Sequence, residues 1–178
     1  MTDHGVSLGR GALRALHRIV FTHAPDQAVT ILQQAGFASG EGVYDAFRAW
    51  VPQHAGVASP EDIDAGHLSH QLTRFFQALG WGSLTVSPLA AGALAVDSPD
   101  WIEAEPDAAA ETPMCFFSAG LLADFLGRLA DEGVAAMEVE CRSRNDLRCR
   151  FVLAMPETIQ RVYDQMLRGK DYKEAFGG

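Results

Sequence analysis

All three cysteines of the chain fall between residues 115 and 151, and their spacing is what could do chemistry. Cys141 and Cys149 stand eight apart, with an Asn145-Asp146 turn signal between them and short apolar-rich runs, Val134 to Cys141 and Leu147 to Leu153, on either side. This pattern predicts a β-hairpin. A register symmetric about Asn145 would set Cys141 opposite Cys149, with Cβ atoms roughly 4.5–5.5 Å apart. Sulfurs that close can share a tetrahedral metal, since a Zn–S bond is about 2.3 Å. Glu138 precedes Cys141 by three residues. A regular strand would send the two to opposite faces, so a bulge or a strand end must bring Glu138 round if it is a ligand. Cys115 opens a predicted helix that packing could deliver to the same point. One closed site of Cys115, Glu138, Cys141 and Cys149 is thus conceivable. The spacing alone also fits three buried thiols acting as small hydrophobes, a Cys141–Cys149 disulfide, or a thiolate activated by Arg142, Arg144, Arg148 and Arg150.

The same stretch resembles the 4-vinyl-reductase, or hydrocarbon-binding, domain. The resemblance is carried by Cys115, by Ser118-Ala119-Gly120 in the helix, and by Glu138, Cys141, Cys149 and Phe151. Asn145 stands where the family usually has Gly, and Asn tolerates the left-handed conformation nearly as well. Sensor domains of phenol- and xylene-responsive transcription activators belong to this family and bind zinc through three Cys and one Glu. The resemblance therefore implies a structural zinc on Cys115, Glu138, Cys141 and Cys149. It also implies a TRAPP/NO-signalling-type ligand-binding fold with an apolar cavity between helices and sheet. In the aromatic sensors a His and a Trp bond a phenolic ligand, which makes His67, His70, Trp81 and Trp101 candidates, with Phe76 and Phe117 as apolar lining. Read from the residues alone, the aromatic side chains are equally core material. His67 and His70, three apart, have no third ligand beside them to form a metal site of their own.

The elements that must position these residues follow from periodicity. Leu13, Leu16, Ile19 and Val20 predict a helix over residues 9 to 22, with Arg10, Arg14 and Arg18 as a solvated stripe. A second helix is expected from Pro25 to Gln34, closing at Gly36. A third should follow Gly40, with Val43, Phe47 and Trp50, and end before Pro52. Ser59-Pro60-Glu61-Asp62 opens a fourth that runs to about Leu79. Trp81 to Val86 and Ala93 to Val96 read as two strands of a meander, with Ser87-Pro88 as a turn signal. Residues 101 to 112 read as an acidic loop, a candidate mobile cover. A helix from Pro113 to Leu129, the cysteine hairpin and a last helix from Pro156 to Gly169 complete the chain. The expectation is one α+β domain over residues 1–178, its core at 8–168 and its tail at 170–178 loose, with an antiparallel sheet made of the meander plus the C-terminal hairpin.

Composition bounds the function. Fourteen basic against 23 acidic residues give a net charge of −9, which argues against a nucleic-acid surface and an anionic membrane. The uncharged run from Phe75 to Val96 is long enough to span a bilayer, but its glycines and turn signal read as core strands instead. An odd number of cysteines and an N-terminal stretch without an apolar leader core point to the cytoplasm. No nucleophile–base order, phosphate loop or HExxH helix appears, so no catalytic residues are assigned. The reading is a zinc-stapled module that senses or carries a small hydrophobic or aromatic molecule, as a homodimer by family analogy. The alternatives are a tetrapyrrole-binding accessory or 4-vinyl reductase-like enzyme, and an interaction scaffold of TRAPP-subunit type.

Overall fold

The computed structural model describes residues 9–177. Residues 1–8 and Gly178, which include the stretch read for a leader and the last residue of the tail, lie outside it. The chain runs α1 (Arg10–His23), α2 (Ala28–His54), α3 (Ala65–Ala78), β1 (Thr85–Ala90), β2 (Ala93–Ser98), α4 (Phe116–Ala130), β3 (Ala135–Glu140), β4 (Cys149–Ala154), α5 (Pro156–Leu167) and α6 (Tyr172–Gly177). The four strands form one antiparallel sheet in the order β1-β2-β4-β3. Alternation along β4 separates two cores. Cys149, Phe151 and Leu153 face the larger one, shared with α2, α3 and α4, and Val152 and Ala154 face the smaller one under α5 and α6. The expected α+β domain is the observed one.

The two helices expected on either side of Gly36 and Gly40 are one helix of 27 residues. Both glycines are buried inside it and serve contact with α4. A Cβ on Gly36 would meet the Phe117 carbonyl oxygen at 1.9 Å, and one on Gly120 of α4 would meet the Gln33 carbonyl at 2.0 Å. The two helices therefore touch backbone to backbone. That contact, absent from any local pattern, outweighs the helix cost of glycine, about 1 kcal/mol each. Pro52 lies within the last turn of α2 and is exposed, so the carbonyl it orphans is open to water.

Other boundaries shift for local reasons. Ser59 and Asp62 form a capping box, but it closes a short 3-10 turn over Pro60–Asp62, and the Asp64 side chain then caps α3 by accepting from Gly66 N–H at 2.8 Å. The first strand begins at Thr85 rather than Trp81, and Pro88 lies within it. Proline is tolerated because β1 is an edge strand, with an irregular register between Pro88 and Ala90. The turn is at Gly92, whose φ is 70°. The tail expected to be loose forms α6, docked through buried Tyr172 and Ala175. The row of arginines on α1 is only partly solvated, because Arg14 pairs with Glu105 at 2.6 Å.

Gly120→Ala should destabilise the protein by about 2–3 kcal/mol, since the added methyl strikes backbone and not a movable side chain. Gly42→Ala, whose Cβ meets nothing within 4 Å, should instead stabilise by roughly 0.5–1 kcal/mol. Chemical denaturation of both variants checks the pair; equal effects would contradict the close helix contact.

Candidate metal centre and aromatic cluster

The hairpin pairs Glu138 with Phe151, then slips by one residue and pairs Glu140 with Arg150. The slip is a bulge at Val139. It places Val139 and Glu140 together on the outer side of the sheet, so Glu138 and Cys141, three apart, share the inner side. Asn145 takes the left-handed turn position with φ 66°. Cys115 arrives as the N-cap of α4.

The four predicted ligands meet. One sulfur or carboxylate oxygen from each of Cys115, Glu138, Cys141 and Cys149 lies within 4.8 Å of all the others, and all four residues are buried. Cys115 Sγ is 3.8 Å from both Cys141 Sγ and Cys149 Sγ. A disulfide needs about 2.05 Å, and the three thiols are free. Thiolates around one tetrahedral ion with bonds of about 2.3 Å stand roughly 3.8 Å apart. Glu138 Oε2 accepts the Cys115 N–H at 2.8 Å, while its Oε1 is buried with no hydrogen-bond partner. An orphaned buried carboxylate oxygen aimed into a ring of sulfurs fits a cation. Burial pushes the Cys115 thiol and the Glu138 carboxyl well above their ordinary values, and for Glu138 the nearby Cys141 adds to this. Only a positive charge at the centre would let all four ionise together. The activated-thiolate reading is not supported by the geometry. Arg148 and Arg150 bond Glu140 and Asp97 on the outer face, Arg144 bonds Asp146, and the sulfurs are enclosed.

A second assembly adjoins the first turn of α4. Trp101 and Phe76 are buried with ring centroids 5.7 Å apart, and Trp81 lies 5.6 Å from Trp101 and stacks on Phe117 at 6.1 Å. Four of the six predicted ligand-lining residues therefore come together. His67 and His70 do not join them: both are exposed on the outer side of α3, and His67 approaches only Asp64.

Sequence reasoning missed the polar thread through this cluster. Trp101 Nε1–H donates to Ser118 Oγ at 2.6 Å, and Ser118 Oγ donates to Glu103. The Glu103 carboxylate, fully enclosed, also accepts from the N–H groups of Phe117 at 3.0 Å and Ser118 at 2.7 Å, and bonds His17 of α1 at 2.7 Å. It thus caps α4 from a distance. The acidic segment expected to be a mobile cover is pinned instead. Trp101, Glu103 and Ala104 are buried, and Glu105 and Ala110 donate backbone N–H groups to Ser143 in the hairpin turn, both at 2.8 Å. The only signal in the sequence was an apolar Trp-Ile pair leading into alternating acids, which composition alone reads as exposed. Two open surface depressions lie along α5 and beside Phe37 and the end of α4; neither reaches the aromatic cluster.

No curated protein matches this chain. Among solved structures, the phenol-responsive sensory domain of the transcription activator PoxR with phenol is similar at 17% identity and a TM-score of 0.64, over 86% of this chain and 77% of that one. Subunit 3 of a trafficking protein particle complex from Naegleria fowleri, covalently bound to palmitic acid, is similar at 13% identity and a TM-score of 0.59, over 82% of this chain and 93% of that one. Both share the fold. The family model that matches is that of the 4-vinyl-reductase domain, over residues 102–155. That span holds the buried Glu103, all four cluster residues and the bulge that aligns them, and it is a 4-vinyl-reductase domain.

Proposed function

We propose that this chain is a zinc-stapled binding module that senses or carries a small aromatic molecule. The observation that carries the reading is the Trp101–Ser118–Glu103 thread inside an aromatic cluster. Small-molecule sites are mostly apolar with a few fixed polar groups, and this is the place in the molecule with that character. The family match and the fold shared with a phenol sensor support the same reading. Trp101 and Ser118 would orient a ligand hydroxyl or carbonyl, and Phe76, Trp81 and Phe117 would enclose its ring. Trp81, half-buried, is the side chain placed to swing aside for entry.

Cys115, Glu138, Cys141 and Cys149 would hold the zinc. With three thiolates and one carboxylate the coordination sphere is closed, whereas catalytic zinc keeps a position for water or substrate. Its role is therefore structural, and the module is a binder rather than an enzyme. No helix among the described residues is long and apolar enough to cross a membrane, and buried free thiols suit a reducing compartment such as the cytoplasm. The exposed Leu16, Ile19, Val29, Ile31 and Phe37 on α1 and α2 favour a homodimer through the N-terminal helices. The same face would serve the second reading, a scaffold that assembles with other chains, as a trafficking-complex subunit does.

Native mass spectrometry of the purified protein tests the proposal directly. One zinc per chain is expected, together with an aromatic ligand either retained or taken up on titration. Absence of both removes the reading, while strong visible absorbance would redirect it to a tetrapyrrole. Cys141→Ser should release the metal and destabilise the fold by about 4 kcal/mol or more; an unchanged melting curve and metal content would count against the centre. Trp81→Ala should weaken ligand binding by tenfold or more, about 1.4 kcal/mol, with little change in melting temperature. Trp101→Ala, by contrast, should cost about 3–5 kcal/mol of stability. Tryptophan fluorescence titration beside thermal melts separates the two.

A further inference from the structure

Glu140 and Cys141 are successive residues in extended backbone, and so are Cys149 and Arg150, so each pair sends one side chain to either face of the sheet. Behind the metal cluster, on the outer face, Asp97, Arg150 and Glu140 therefore form one rung across β2, β4 and β3. Arg150 holds Asp97 with two bonds of 2.6 and 2.7 Å, and Arg148 bonds Glu140 at 2.9 Å. The rung is partly sheltered, with the Arg150 side chain 13% exposed, so these pairs are less screened than ordinary surface pairs.

The rung also grips the end of the described chain. Tyr172, buried at the start of α6, donates its hydroxyl to Glu140 at 2.5 Å and accepts from Arg150 Nη1 at 3.0 Å. A helix of six residues has no stability of its own, and besides Tyr172 only Ala175 is buried in it. Its place is thus set chiefly by the rung. The rung in turn sits on the last paired residues of a hairpin whose far end is gathered by the four cluster residues. Without a cation, three thiols and a carboxyl buried together would push that end apart or draw in water, and Glu140 and Arg150 would move with their neighbours.

We propose that the segment from Asp171 to Gly177 is a latch whose docking is coupled, through the Asp97–Arg150–Glu140 rung, to metal occupancy of the Cys115–Glu138–Cys141–Cys149 cluster. The inference rests on the metal reading above and adds to it the output: a change at the cluster is read at the C-terminal segment. Coupling of this kind is reciprocal. If the ion favours the docked latch, the docked latch must slow or weaken loss of the ion.

The test uses the full chain loaded with zinc, its metal content measured first, and hydrogen exchange followed by mass spectrometry. Chelation should speed exchange of residues 171–177 by about tenfold or more while the amides of α2 and α4 stay protected. Tyr172→Phe keeps the ring and removes the hydroxyl. It should retain one zinc per chain, expose the segment to exchange, and surrender zinc to a chelator several-fold faster than the parent protein. The second arm decides the matter even if the metal-free chain unfolds as a whole. A segment equally protected with and without zinc, or a variant with unchanged zinc release, overturns the latch while leaving the metal centre intact. A protein that takes up no zinc overturns the metal reading and the latch with it.

Discussion

Everything near the cluster depends on one extra residue in β3. Without the bulge at Val139, Glu138 and Cys141 would point to opposite sides of the sheet and no four-ligand centre could form. The bulge also decides what lies behind the cluster, because it turns Glu140 outward to face Arg150 in the same step that turns Cys141 inward. One irregularity in pairing thus builds a site on each face. Deleting or regularising it would move every side chain beyond it to the wrong side, which makes the bulge the feature least replaceable by compensating substitutions.

The N-terminus of α4 joins the metal cluster to the aromatic one. Two buried carboxylates from outside the helix serve it: Glu138 accepts the N–H of Cys115, and Glu103 accepts those of Phe117 and Ser118. A helix start carries orphan donors and a positive partial charge, so it can hold buried carboxylates that an apolar interior would otherwise reject. Cys115, Phe117 and Ser118 then stand within one turn of each other, the first facing the ion and the other two facing the rings. Any adjustment of the aromatic cluster to a ligand is felt at a metal ligand through a single rigid turn.

The metal set is legible in the sequence because its geometry is local: eight residues across a turn, three across a bulge, and a cysteine at a helix start. The aromatic residues Phe76, Trp81, Trp101 and Phe117 are legible as apolar material but not as an assembly, and Glu103 is hidden by its acidic neighbours. What misleads elsewhere misleads for one reason, that the deciding contact is remote. Gly36 and Gly40 look like helix ends when only the chain around them is considered, and become contact points once α4 lies against them. Pro88 looks like a turn until its strand is known to be an edge. His67 and His70 look like site residues by type, but the face of α3 they occupy is set by Leu72, Phe75 and Phe76 turning inward. Tyr172 reads as loose tail because its partners are a Glu and an Arg on two distant strands.

The backbone contact of α2 with α4 explains how so crowded an interior is held in register. Where carbonyls and Cα atoms meet, there is no side chain to change rotamer and absorb a displacement. The α4 N-terminus, with its cysteine and its two carboxylates, is therefore fixed from the helix side by Gly36 and Gly120 and from the sheet side by the cluster. The aromatic rings between these two anchors are the part with freedom to rearrange, and Trp81, half-buried at their edge, has the most. A molecule entering there would meet a compliant wall of rings backed by two stiff supports, which is the arrangement a binding module needs if ligand uptake is to change its shape without unfolding it.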